Sequence, residues 1–213
     1  MIRYKLLTQD MMANGRTWKL NEWHETNLLY GPTSLRCDAH PLLAVLLNPN
    51  FGNNKNPRLF KCEVRGKCGE NLCTPTETWT RMRITKEIPL PKISTKQRRR
   101  FALFCALEVY PLWRDYDKAS KWGKWAKDPT REAAELRRSE TDEVIDRLYK
   151  LSGKLGTSIT PAAISAAAAV TAYTTTRITM KKVVANAAGW AHLAAKTTLD
   201  FIALAKQAIQ ENK

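Results

Sequence analysis

The stretch EIPLPK, residues 87–92, constrains this chain more than any other. Pro89 and Pro91 each lack a backbone N–H and fix φ, so the segment suits neither a helix interior nor the middle of a sheet. It reads as an extended connector, and the text changes character across it. The expectation is an α+β protein in three parts: a small mixed α/β domain over 1–87, a proline-rich connector over 88–94, and a helical bundle over 95–213.

Upstream, Ile2–Thr8 and Arg58–Arg65 are short β-branched or aromatic runs suited to strands. TWTRMRITKEI (78–88) alternates apolar and charged residues, as a half-exposed strand does. Gly31-Pro32, Asn48-Pro49 and FGNNKNP (51–57) read as turns, and KCGENLC (67–73) as a loop. PLLAVLLN (41–48) is apolar nearly all round. With Pro41 in the first turn and Asp38 or His40 before it, the segment reads as a short buried helix, with a buried strand as the alternative.

Downstream, Ser94 or Thr95 offers an N-cap. Phe101, Phe104, Cys105, Glu108 and Val109 follow at helical spacing, four of the five apolar. Asp128-Pro129 and Thr160-Pro161 carry the same start signal for later helices, the first with Ala133, Leu136, Val144, Leu148 and Leu151 as its stripe. A last helix is expected over about 178–210, with Val183, Ala187, Trp190, Ala191, Ala194, Phe201, Ala205 and Ile209 on one face.

The words on either side of the connector also resemble a known family. DAHPLLAVLLNPNF, then NPRLFKCEV, then EIPLPKISTKQRRRFALFCALEVY is the order found in a family of uncharacterised tailed-phage and bacterial proteins. There, a domain of unknown function precedes an alanine-rich helical domain. The helical part, from FALFCALEVYPLW to WAHLAAKTTLDFIALAKQAI, is similar to an alanine-rich domain of candidate immunity proteins. The resemblance is specific from about 28 to 110 and compositional beyond; the tail here is less alanine-rich and carries Lys and Trp early on. It implies a phage origin, a two-part architecture and the cytoplasm of an infected host cell, but no activity.

Charge carries the functional reading. Lys and Arg number 35 against 20 Asp and Glu, a formal net charge of +15. The excess is +6 over 1–93, +4 over 94–153 and +5 over 154–213, so it is distributed rather than held in a tail. Such a field attracts polyanions and acidic surfaces. The most apolar run, PAAISAAAAVTAY (161–173), is short of the ~20 residues of a membrane span, and MIRYKLLTQD lacks the apolar core of a secretory signal. No membrane association is expected.

Two places concentrate the charge. Arg98, Arg99 and Arg100 open the helix after the connector. Three cations in a first turn oppose the helix dipole, so acidic residues of the N-terminal domain or an external anion should offset them. KASKWGKWAKD (118–128) places Lys118, Lys121, Trp122 and Trp125 on one helical face with Lys124 and Lys127 beside it. That arrangement suits stacking on a base while ammonium groups meet phosphate. The simpler alternative is that the tryptophans pack in the bundle and the lysines snorkel from their edges.

Five cysteines in a reducing compartment read as free thiols. No cofactor or metal is expected; Cys37, His40, Cys68 and Cys73 are the set that would hold zinc, although their spacing is loose and His40 equally suits a helix cap. His24, His40 and His192 fall in no catalytic motif, and no phosphate loop is present. The reading is a non-enzymatic phage accessory protein that binds DNA or RNA. The alternatives are a counter-defence factor that binds an acidic host protein, and a small transferase of unknown substrate.

Overall fold

The computed structural model describes residues 1–47, 56–70, 75–109, 111, 181–195 and 199–210. Its frame is a long antiparallel hairpin. The alternation in LFKCEV puts Phe60, Cys62 and Val64 inward, and that in RMRIT puts Met82 and Ile84 opposite them. These residues lie in β6 (Arg58–Glu70) and β7 (Glu77–Ile88), paired from Leu59↔Ile88 to Glu70↔Glu77. The N-terminal run forms β1 (Ile2–Leu7) along the other edge of β6. The turns between them carry three two-residue strands, β2 (Met12–Ala13), β3 (Arg16–Thr17) and β4 (His24–Glu25), and then β5 (Leu35–Cys37).

β4 and β5 both pair with the free edge of β7, at Met82–Arg81 and at Trp79–Glu77 respectively. Directly after β5, Asp38 and Tyr4 exchange both backbone hydrogen bonds at 2.9 Å. Those two bonds join β5 back to β1, so β1, β6, β7 and β5 form a closed ring of hydrogen-bonded neighbours. Closure leaves no open edge at that end and encloses Leu7, Trp18, Leu35, Cys37, Phe60, Cys62, Val64, Met82 and Ile84.

Strands this long close only if they bend. β6 runs on to Glu70 instead of giving way to a loop at Lys67, because register shifts at Lys61/Cys62 and Arg65/Cys68 let it curve. Gly66 sits within the second shift at φ +85, and a Cβ there would lie 2.2 Å from Thr80 Oγ1. A side chain at this position would be both crowded and strained.

The PLLAVLLN run is a helix, α1 (Pro41–Leu46), with Pro41 at its start. The His40 side chain caps it, its Nδ1 accepting from the Leu42 N–H at 3.2 Å. The uniform apolarity of α1 has a direct cause. Ala44 and Val45 pack with Leu6 and Leu59 on the sheet side. Leu42, Leu43 and Leu46 of α1, with the following Leu47, pack with helices on the other.

Those helices are α2 (Thr95–Val109), α3 (Lys181–Ala195) and α4 (Phe201–Ile209). The start of α2 is a reciprocal capping box: Ser94 Oγ accepts from the Gln97 N–H at 3.2 Å, and Gln97 Oε1 accepts from the Ser94 N–H at 2.8 Å. Burial on α2 is wider than the expected stripe. Ala102, Leu103 and Ala106 join Phe101, Cys105 and Val109 inside, because α1, α3 and α4 all contribute to one cluster around it. The connector thus marks a change of secondary structure, while the hydrophobic core runs across it.

The single helix expected over 178–210 is two helices. Asp200 Oδ1 accepts from the Ala203 N–H at 2.9 Å and so caps a fresh start at Phe201. On α3, Ala187, Ala191 and Ala194 are buried as expected, but Trp190 is 38% exposed. The expected helix starts at Asp128 and Thr160, with Ala133, Leu136, Val144, Leu148 and Leu151, lie outside the described residues. No helix among the described residues is long and apolar enough to cross a membrane.

Replacing Gly66 by alanine tests the bent hairpin. Clash and left-handed strain together should lower stability by about 1–3 kcal/mol, read as a lower urea midpoint at unchanged slope. An unchanged midpoint would mean that β6 does not need this bulge.

Candidate nucleic-acid interface

The hairpin has two faces of opposite character. Inside is the apolar core; outside are Lys61, Glu63 and Arg65 on β6 and Arg81, Arg83 and Lys86 on β7. Register sets what meets across the strands. Lys61 stands opposite Lys86 and Arg65 opposite Arg81, and only Glu63 opposite Arg83 is a complementary pair. Like charges directly opposed on a sheet are unfavourable. Here an aromatic ring and two carboxylates temper part of that repulsion.

The ring is Trp23. Its segment is fastened to the free edge of β7 by Asn21 N–H to the Ile84 carbonyl at 2.8 Å and Thr26 N–H to the Thr80 carbonyl at 2.9 Å. Three guanidinium carbons lie near the indole centroid: Arg65 at 4.9 Å, Arg83 at 4.9 Å and Arg81 at 5.3 Å. Cation–π attraction favours each placement. Arg81 Nε forms an ion pair with Glu25 Oε1 at 2.9 Å, and Arg83 donates to Glu63 Oε2 from Nη2 at 2.8 Å and from Nε at 3.0 Å. Arg65 is exposed, and its side chain has neither a hydrogen bond nor an ion pair among the described residues.

Two of the arginines singled out after the connector, Arg98 and Arg100, make contacts within the fold. Arg98 Nη1 donates to the Val45 carbonyl in the last turn of α1 at 3.3 Å, and Arg100 Nη1 donates to the Gln210 carbonyl at the end of α4 at 3.1 Å. Gln97 Nε2 joins them, donating to the Ile209 carbonyl at 2.9 Å. With α2 starting at Thr95, Arg98 and Arg100 are its fourth and sixth residues, and they donate to the carbonyl ends of two other helices, which carry the negative end of their dipoles. Burial lowers the Arg98 pKa from its usual value. The described contacts of Arg98 and Arg100 are thus to backbone carbonyls. The side chain of Arg99, and Lys118, Lys121, Trp122, Lys124, Trp125 and Lys127 with the rest of their stretch, lie outside what the structure describes.

Three members of the cysteine–histidine set are described, and they lie in different places in the fold. Cys37 is buried inside the strand ring beside Cys62, Cys68 is exposed on β6, and His40 spends Nδ1 on its helix cap. Among the described residues no group of three or more His, Cys, Asp or Glu side chains could hold a metal. Cys73 lies outside them.

A buried polar cluster, not legible in the sequence, lines the closure of the ring. Lys5 alternates inward with Leu7, donates from Nζ to the Arg36 carbonyl at 2.7 Å, and lies 4.6 Å from the centre of the Trp18 ring. Burial lowers the Lys5 pKa, partly opposed by Cys37, Cys62 and Asp38. Asp38 is also buried; desolvation pushes its carboxyl up to about 7, with the Lys5 charge pulling the other way. Only the period of the strand could have hinted at an inward lysine at position 5.

The raised Asp38 pKa makes a pH prediction. A carboxyl raised on folding contributes stability below its unfolded value of 3.8, and that contribution is lost as pH rises through about 7. Relative to Asp38→Asn, which keeps the backbone pairing with Tyr4, the native chain should lose stability between these limits. Parallel curves in urea titrations across that range would overturn the assignment. Comparison of the chain with protein-family models, with curated proteins and with solved structures found no match in any of the three.

Proposed function

We propose that this chain binds nucleic acid through the outer face of β6 and β7, as a non-enzymatic accessory protein of the phage type that its sequence resembles. The observation that carries the reading is the pair of like-charge juxtapositions in the register, Lys61 against Lys86 and Arg65 against Arg81. A sheet face that opposes cations to cations loses stability alone and regains it when a polyanion runs between them. Lys67 extends the same strand beyond the bulge and, like Lys61 and Lys86, forms no ion pair among the described residues. The net charge of +15 supplies long-range attraction. The lysine–tryptophan stretch from Lys118 to Lys127 belongs to this reading as a second contact region.

Binding of nuclease-treated protein to short oligonucleotides at ~50 and ~300 mM salt tests it, since each phosphate contact contributes about −0.7 to −0.9 to the log–log salt slope. Lys61→Glu with Lys86→Glu should weaken binding and flatten the slope by about two such contacts. Absence of binding to any oligonucleotide at the lower salt would overturn the proposal and direct the search to an acidic protein partner.

A further inference from the structure

We propose that this face is a stacking platform for single-stranded nucleic acid, on which the Arg65 guanidinium, held over Trp23, contacts both base and phosphate. The inference rests on the nucleic-acid reading above and narrows its ligand. Three features of the face lead to it.

The first is the division of labour among the three arginines around Trp23. Arg81 and Arg83 are tied by Glu25 and Glu63, which fixes them as a frame. Arg65 is the cation in excess of those two carboxylates. Its guanidinium carbon lies 4.9 Å from the indole centroid and the side chain is exposed. Its N–H donors, unspent among the described residues, are available to phosphate oxygens, and a guanidinium plane also takes a stacked base.

The second is chemical fit. A duplex covers the flat faces of its bases, so it can offer such a site only phosphate charge. A single strand offers both charge and ring faces, and guanidinium and aromatic planes bind those faces with little sequence preference.

The third is the neighbourhood. The segment that carries Trp23 leaves Leu20, Leu28 and Tyr30 more than half exposed, at 53%, 56% and 61%. Leu20 bridges to Ile84 on β7, and Leu29 packs beside Gly69 on β6. Leu20 is thereby placed at the edge of β7 and Leu29 against β6, which brings apolar residues of this segment to both strands of the hairpin.

The experiment compares single strands of DNA and RNA, the corresponding duplexes, and heparin as a polyanion without bases, at one salt concentration. Single strands should bind at least ~10-fold tighter than duplex, and heparin should not displace them in proportion to its charge. Arg65→Lys keeps the charge but not the plane, and lies on an exposed position. It should lower single-strand affinity by a factor at least ~5-fold larger than the factor by which it lowers duplex affinity. Trp23→Phe, which keeps an aromatic support, should fall between the native protein and Arg65→Lys. Equal affinity for single strand, duplex and heparin, or an Arg65→Lys variant that loses all three alike, would overturn the stacking platform while leaving polyanion binding in place. Failure to bind any of them would overturn both.

Discussion

The two-sided burial of α1 is the contact on which the rest of the structure depends. A six-residue helix has too few intrahelical bonds to persist alone. It is held because Leu6 and Leu59 of the sheet cover one side and the α2–α3–α4 cluster covers the other. Each leucine buried there contributes on the order of 1.5–3 kcal/mol, so a chain segment of this length joins two layers that would otherwise meet only through the connector. Arg98 strengthens the same joint from the far side of the connector, by donating to the last turn of α1.

That joint also explains why the sheet can keep one face for solvent. The strand ring fills its interior with its own side chains, and α1 covers the outside of β1 and β6 at Leu6 and Leu59. The remaining outer surface of the hairpin is then free to carry Lys61, Arg65, Arg81, Arg83 and Lys86. Charge there costs the core nothing, and the pairing register decides which charges face each other. The local repulsion of Arg65 against Arg81 is tempered by Trp23, whose position depends on the edge bonding of residues 21 and 26 to β7.

Much of the scaffold was legible in the residues. Prolines at 89 and 91, the alternation of 78–88, the uniformly apolar run at 41–46 and the cap at Ser94 each act through contacts within a few residues, so local pattern was enough. Legibility failed where partners are distant. Trp190 has the right spacing for the buried face of α3 and is nonetheless exposed, because periodicity fixes a helix face but not what covers it. The fresh start at Phe201 was hidden because Leu199 and Phe201 continue the apolar pattern on either side of the Asp200 cap. The arginine run at 98–100 drew attention as an anion site, yet the described guanidinium contacts are to Val45 and Gln210, the latter 110 residues away in the chain. The candidate interface itself was missed: Trp23, Arg65, Arg81 and Arg83 stand in three separate stretches with no shared motif.

Sequence alone therefore determined what local stereochemistry and periodicity can encode: the strand and helix segments about the connector, the short capped helix, the positive charge and its spread. Only the tertiary structure decided the ring closure through Asp38 and Tyr4, the inward placement of Lys5, and the gathering of arginines around one indole. The physical reason is that a cross-strand neighbour is set by register. A shift of one residue turns every side chain to the opposite face, and register follows from bulges at Lys61 and Arg65 and from closure over the core.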